Sequence, residues 1–340
     1  MRIVFFGTPQ FAVPSLERLT VHSDFDVVAV VTQPDKRRGR GGGVTPSPVK
    51  KIAQEILSDS PCPIWQPIKI KQDETALQNL RDTQADAFVV VAYGQILSPE
   101  ILDMPRLGCI NAHGSILPAY RGAAPIQWSI HQGESETGVT TMLMDPGMDT
   151  GPMLLKTTIS IGLLDTAWEV AEQLADISAD LLIDTLQKLN QQAINPIPQD
   201  DACATYAPLI KKPDYVLDWS HSAIALHNQI RGFYPNCATQ FRGSALKISA
   251  TLPLGPDYGS QLPSDLQAVE ADWKAFIAQE NPSTSQPGEI VHLLKGHGPV
   301  IQTGDGHLLL RQVQPAGKRS QSAWDFANGS RLESGERLGI

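Results

Sequence analysis

Cysteine is scarce and scattered. The four residues, Cys62, Cys109, Cys203 and Cys237, form no CxxC pair, which argues against a disulfide framework or structural zinc and for a reducing, cytoplasmic setting. No apolar run approaches the ~20 residues that a membrane-spanning helix needs. No signal peptide is expected either, because MRIVFFG enters an apolar strand at once. Three common site signatures are missing. The first turn, Gly7-Thr8-Pro9, has one glycine where a dinucleotide fingerprint needs GxGxxG, no strand leads into a GxxxxGK phosphate loop, and there is no HExxH. Basic residues are outnumbered, 27 against 36 acidic, for a net charge of -9. On net charge alone that disfavours a nucleic-acid partner.

The basic residues that are present cluster. Lys36, Arg37, Arg38, Arg40, Lys50 and Lys51 have no acidic residue among them, so an acidic chain can still meet an RNA through one loop. Residues 33–51 carry three consecutive glycines and no hydrophobic period. A structureless stretch of that length in a compact domain is usually functional or disordered. Phosphate contact and a plain solvated connection remain even readings.

Strands read at 2–6, 25–32, 64–66, 87–92, 137–144 and 154–161 alternate with helices at 11–20, 48–56, 75–82, 125–132 and 166–189. Nearly continuous apolar strands between helices predict a parallel sheet covered on both faces. Residues 190–213 are polar and proline-rich and read as an interdomain linker. Beyond them the texture changes to short strands at 216–219, 238–241, 246–250, 289–294, 300–303 and 308–313, with a hairpin turn at Gly304-Asp305-Gly306 and helices at 222–233 and 323–328. That pattern predicts a small β-barrel of the oligonucleotide-binding type. Residues 252–287 read as an insertion with a helix near 265–278 and no assignable function. The expected architecture is therefore α/β: a Rossmann-like parallel-sheet domain over 1–189, a linker, and an OB-like barrel over 214–340.

Residues 109–125, CINAHGSILPAYRGAAP, organise the chain. Asn111 and His113 follow an apolar run two residues apart, a spacing that puts both on one face of a strand. An amide donor and a proton carrier suit a centre where charge develops on a carbonyl oxygen. A polar loop with His113 held by backbone partners is the competing reading. Asp145 and Asp149 lie in a Gly/Pro-rich loop after a strand, a usual place for chemistry in an α/β sheet, although Asp before Pro or Gly is also ordinary turn chemistry.

The chain resembles the methionyl-tRNA formyltransferases over nearly its whole length. The carriers are Gly7-Thr8-Pro9 with Phe11-Ala12, QPDKRRGRG with PSPVK, VVVAYGQIL, GCINAHGSILPAYRGAAPIQW, MDPGMDTGPM and QPAGK. The Asn-x-His-x-Ser-x-Leu-Pro core is shared with other folate-dependent formyltransferases, so it speaks for the chemistry and not the acceptor. The resemblance implies transfer of the formyl group of 10-formyltetrahydrofolate to the α-amine of methionine on initiator tRNA. It implies a catalytic set of Asn111, His113 and Asp149, with Asp149 setting the tautomer of His113. It places folate at Ser115, Ile116, Leu117 and Pro118, at the turn Tyr93, Gly94, Gln95, Ile96 and Leu97, and at Asp145, with Leu117-Pro118 cis. Transfer RNA would meet Arg40, with Lys36, Arg37, Arg38 and Lys50. No metal, membrane or DNA is implied, and a cytoplasmic monomer is expected. Other readings compete: a formyltetrahydrofolate hydrolase or a small-amine formyltransferase on the same fold, and an RNA-binding protein with a dead catalytic domain.

Overall fold

A computed structural model describes residues 1–37, 43–255, 258, 261–280 and 285–339. Strand β1 (Arg2–Gly7) enters helix α1 (Val13–Val21) through a 3-10 turn, and β2 (Asp26–Val31) follows. Next come β3 (Lys36–Arg37), β4 (Val44–Thr45), α2 (Pro48–Ile56), β5 (Ile64–Trp65), α3 (Glu74–Asp82) and β6 (Ala87–Val91). Then α4 (Pro99–Leu102), β7 (Cys109–His113), α5 (Pro125–His131), β8 (Glu136–Leu143), β9 (Met153–Ser160) and α6 (Ala167–Asn190) complete the first part. The chain divides into two compact units. One comprises residues 1–125, 136–159 and 171–208, the other 126–135, 160–170 and 209–340.

The first unit holds a seven-stranded sheet in the order β5-β2-β1-β6-β7-β8-β9. Pairing is parallel from β5 through β7 and turns antiparallel at β7 and β8. Ile3 to Phe6 and Ala87 to Val91 are all buried, as strands covered on both faces require. The chain runs outward from β1 to β2 and β5, then returns to place β6 on the other side of β1. Such a switch point opens a crevice at the carboxyl ends of the strands, where Gly7, Tyr93 and the end of β7 lie. Helix α2 starts where its cap dictates: Ser47 Oγ accepts the Lys50 N–H at 3.0 Å with Pro48 at the first turn.

Three features of this unit differ from expectation. The stretch 33–51 is not wholly without regular structure, because β3 and β4 pair as a short antiparallel ribbon. Strand β8, whose sequence TGVTTMLM reads as alternating, has no exposed face; Thr137 to Met142 are all buried, because it is paired on both edges and covered on both faces. Residues 190–208 are tied to the unit by backbone bonds such as Met153 with Ile197 and Arg121 with Thr205 and Ala207.

The second unit is built on α7 (Ala223–Gly232), β10 (Ala238–Phe241), β11 (Ser244–Leu254), α8 (Ser264–Glu280), β12 (Ile290–Leu294), β13 (Gly298–Gln302), β14 (His307–Pro315), β15 (Gln321–Ser322) and α9 (Ala323–Ser330). Its antiparallel sheet runs β10-β11-β14-β13-β12, with β15 on β14. Residues 216–219 are not a strand; Val216 makes only an isolated bridge to Ala238. The inserted stretch begins after Leu254, since Leu252 and Leu254 stay in register with Leu309 and His307. It has a packing role: Leu262, Leu266, Val269 and Trp273 form a cluster with Leu252, Leu254, Leu294, Val300 and Leu309. This amphipathic helix covers apolar surface that the sheet would otherwise expose to water.

Candidate active site

Strand β7 carries the first two site residues. Asn111 lies opposite Val90 on one side and Met142 on the other, and His113 lies opposite Thr140. The two side chains share a face of the sheet. Asn111 is half-buried, and its side-chain amide has no hydrogen-bond partner among the described residues. His113 is 6% exposed. Its Nε2 is 2.9 Å from the Tyr120 carbonyl oxygen. A carbonyl only accepts, so Nε2 carries the proton. Nδ1 then faces Asp149 Oδ2 at 3.6 Å, an ion-pair contact once the ring takes a second proton. The structure therefore corrects one expectation: the tautomer of His113 is set by the Tyr120 backbone and not by Asp149.

Asp149 is held on several sides. Its Oδ2 accepts the Gly122 N–H at 2.9 Å, and its backbone carbonyl accepts from Gln199 Nε2 at 2.8 Å. Asp149 and Tyr120 have φ of 54° and 61°, left-handed conformations that cost side-chain-bearing residues on the order of 1–3 kcal/mol unless neighbours hold them. Asp145 is spent on the loop itself: Oδ1 accepts from the Gly147 N–H and the Thr150 hydroxyl. Arg121 is 2% exposed; it donates to Gln199 Oε1 at 2.9 Å and to Asp201 at 2.8 Å. Gly122 has φ of 126°, and a Cβ there would sit 2.6 Å from the Ala207 oxygen. Only glycine lets these two backbones approach so closely.

The residues expected at folate divide in two. Tyr93 and Leu97 send their side chains into the core of the sheet, and burial pushes the Tyr93 phenol well above its ordinary range. The Tyr93 carbonyl instead ties the turn, accepting from Thr8 Oγ1 and Gln33 Nε2. Gln95 braces residues 67–70 through Pro67 and Ile70. Gly94 and Ile96 remain available, the latter 75% exposed. Ser115 is fully buried and donates to the Ala119 carbonyl. Leu117 is fully buried too, its N–H donating to Thr140 Oγ1. Ile116 and Pro118 are half-buried, and the Leu117-Pro118 bond is cis. Lys156 donates to the Leu117 carbonyl, and burial lowers its ammonium pKa.

Of the residues expected at RNA, Arg38 and Arg40 lie outside the described residues. Lys36 is exposed in β3, and Arg37 follows it in the same strand. Lys50 is already committed: its Nζ lies 2.7 Å from both Asp35 Oδ2 and Gln66 Oε1. An ammonium so engaged has one N–H left to offer a phosphate. The Lys50 hydrogen bond, then that of Gln66, holds the Asp35 carboxyl below its usual range. Gln66 Nε2 adds bonds to Asp35 Oδ1 and the Gln33 carbonyl. The cluster closes the base of the β3–β4 ribbon. Sequence reasoning missed Tyr120, Thr140 and Gln199; each acts through a distant backbone group and has no local motif. Among the described residues no group of three or more His, Cys, Asp or Glu is placed to hold a metal ion, and no helix is long and apolar enough to cross a membrane.

Residues 1–186 match the family model "Formyl transferase" and residues 209–331 match "Formyl transferase, C-terminal domain", which makes the class a formyl transferase. The methionyl-tRNA formyltransferase of Trichormus variabilis is 62% identical over 100% of this chain and 99% of its own length. That of a Cyanothece species is 60% identical over 100% of both. The chain belongs to the methionyl-tRNA formyltransferase family. A solved sugar 3N-formyl transferase, WlaRD, crystallised in the presence of dTDP and 5-N-formyl-THF, shares the fold with a TM-score of 0.61 at 18% identity, covering 94% of this chain and 99% of that one.

Proposed function

We propose that the chain transfers the formyl group of 10-formyltetrahydrofolate to the α-amino group of methionine on initiator tRNA. The observation that carries the chemistry is the Asn111 amide, without a hydrogen-bond partner among the described residues, on the same strand face as His113, with Asp149 3.6 Å from the ring. The neutral amine attacks the formyl carbon. A new N–C bond forms, the bond from the formyl carbon to the folate N10 breaks, and the amine proton ends on N10. The Asn111 N–H stabilises the tetrahedral oxyanion, since donors aimed at developing charge usually supply the largest part of such catalysis. Nδ1 of His113 takes the proton in transit, and Asp149 stabilises the imidazolium so formed. The α-amine has an ordinary pKa of ~8, so an appreciable fraction is neutral without help.

Folate is proposed to lie against Gly94, Ile96, Ile116 and Pro118, on a wall shaped by the buried Ser115, Leu117, Tyr93 and Leu97 and by the half-buried Asp145. Lys36, Arg37, Arg38 and Arg40 are proposed to reach the tRNA phosphates, with residues 1–189 catalytic and the C-terminal sheet a second RNA surface, in a cytoplasmic monomer. The test is formyl transfer from 10-formyltetrahydrofolate to methionyl initiator tRNA, beside a control without tRNA. Transfer that needs tRNA and collapses in Arg40→Ala supports the reading. Folate deformylation independent of tRNA points to a hydrolase, and RNA binding without turnover points to a dead enzyme.

A further inference from the structure

We infer that residues 199–207 form a strap that positions the catalytic pair, with Gln199 and Thr205 as its positioning residues. The inference rests on the catalytic reading of His113 and Asp149 given above. Among the described residues neither Gln199 nor Thr205 hydrogen-bonds to His113, yet each bonds to a residue whose other group faces its ring. Thr205 Oγ1 accepts the Tyr120 N–H at 2.8 Å, and the Tyr120 carbonyl is the acceptor that fixes His113 Nε2. Gln199 Nε2 donates to the carbonyls of Asp149 and Gly151, at 2.8 and 2.7 Å. One stretch thus reaches Asp149 and the Tyr120 backbone that holds His113.

The strap is itself anchored. Arg121 N–H donates to the Thr205 carbonyl and Ala207 N–H to the Arg121 carbonyl, both at 2.8 Å. The Arg121 guanidinium, 2% exposed, holds Gln199 Oε1 and Asp201 Oδ1. With its oxygen engaged by Arg121, the amide of Gln199 has one orientation, and its NH2 must face residues 149–151. Tyr120 and Asp149, two of the residues the strap touches, both have positive φ. Such conformations persist where the surroundings over-determine them. The strap supplies that over-determination, so loosening it lets the His113–Asp149 spacing relax while the sheet stays intact.

Gln199→Glu separates positioning from structure. The carboxylate still accepts from Arg121, so the strap stays anchored, but the donors to the 149–151 loop are lost. Thr205→Val removes the hydroxyl, and Thr205→Ser restores it. The expected result is a kcat for formyl transfer reduced about 10- to 100-fold in Gln199→Glu and Thr205→Val, because a misplacement of about 1 Å at a reacting centre costs on that order. KM for both substrates and the thermal midpoint should stay close to wild type, and Thr205→Ser should recover most of the rate. In the Asp149→Ala background, Gln199→Glu should cost nothing further, because it acts through Asp149. Normal kcat in Gln199→Glu and Thr205→Val, with Asp149→Ala inactive, overturns the strap alone. A near-normal rate for Asp149→Ala instead overturns the catalytic reading beneath it. Loss of rate in proportion to lost folding stability, without rescue by Thr205→Ser, reduces the strap to a structural element and overturns its positioning role.

Discussion

Asp149→Asn is the sharpest perturbation of the proposed chemistry. It exchanges one carboxylate oxygen for an amide and keeps an oxygen that can accept the Gly122 N–H, so the loop keeps its bond. What disappears is the charge 3.6 Å from His113 Nδ1, in a pair exposed by only 6% and 19%. Solvent screening there is slight. With an effective dielectric constant of ~20, a full imidazolium–carboxylate attraction at that distance is about 4–5 kcal/mol. If the ring carries a full proton in the transition state, kcat should fall by about three orders of magnitude. The assay is single-turnover formyl transfer with folate and methionyl-tRNA saturating, so that binding is excluded from the rate. A rate within ~10-fold of wild type would refute the argument, since it would mean that no full charge develops on His113 beside Asp149.

Asn111→Ala should lower kcat about 10²- to 10³-fold, as loss of an oxyanion donor does, while thermal unfolding stays unchanged because its amide bonds to no described residue; equal loss of rate and stability would count against it. Lys50→Met should weaken tRNA binding without changing its salt dependence, whereas removing a true phosphate contact reduces the log–log slope by about one. Asp35→Asn should weaken tRNA binding too, although it removes a negative charge; tighter binding would show that Lys50 and Asp35 act only as charges. His227 tests the second unit. Its Nε2 donates to the Leu163 carbonyl and its Nδ1 accepts from Thr251, and burial lowers its pKa to about 4. The unfolded chain, with an ordinary value of ~6.5, binds the proton first. This contribution to stability is thus complete above about pH 6.5 and falls by roughly 3 kcal/mol as pH drops to 4. Denaturant titrations of wild type and His227→Gln at pH 7.5 and 4.5 check it; identical pH dependence in both would count against it.

Local chemistry made the elements legible. Runs such as AFVVV and IVFF, buried on both faces, leave an unmistakable apolar signature, and Ser47-Pro48 marks the start of α2 before any contact is known. Asn111 and His113 were legible as a pair because strand geometry has a period of two. Asp149 was reached only through the family resemblance, since Asp145 has the same local look and turned out to serve its own turn.

Sequence by itself therefore determined most of the secondary structure, the two-part architecture of the class, and which residue types could carry the chemistry. The tertiary structure alone decided who holds whom. Tyr120, not Asp149, orients His113; Lys50 is spent on Asp35 and Gln66; Gln199, 50 residues along the chain, steadies Asp149. Each is a polar contact between groups brought together by the fold. A hydrogen bond needs about 3 Å and one orientation, and neither has a periodic trace along a sequence, whereas burial against a regular backbone does.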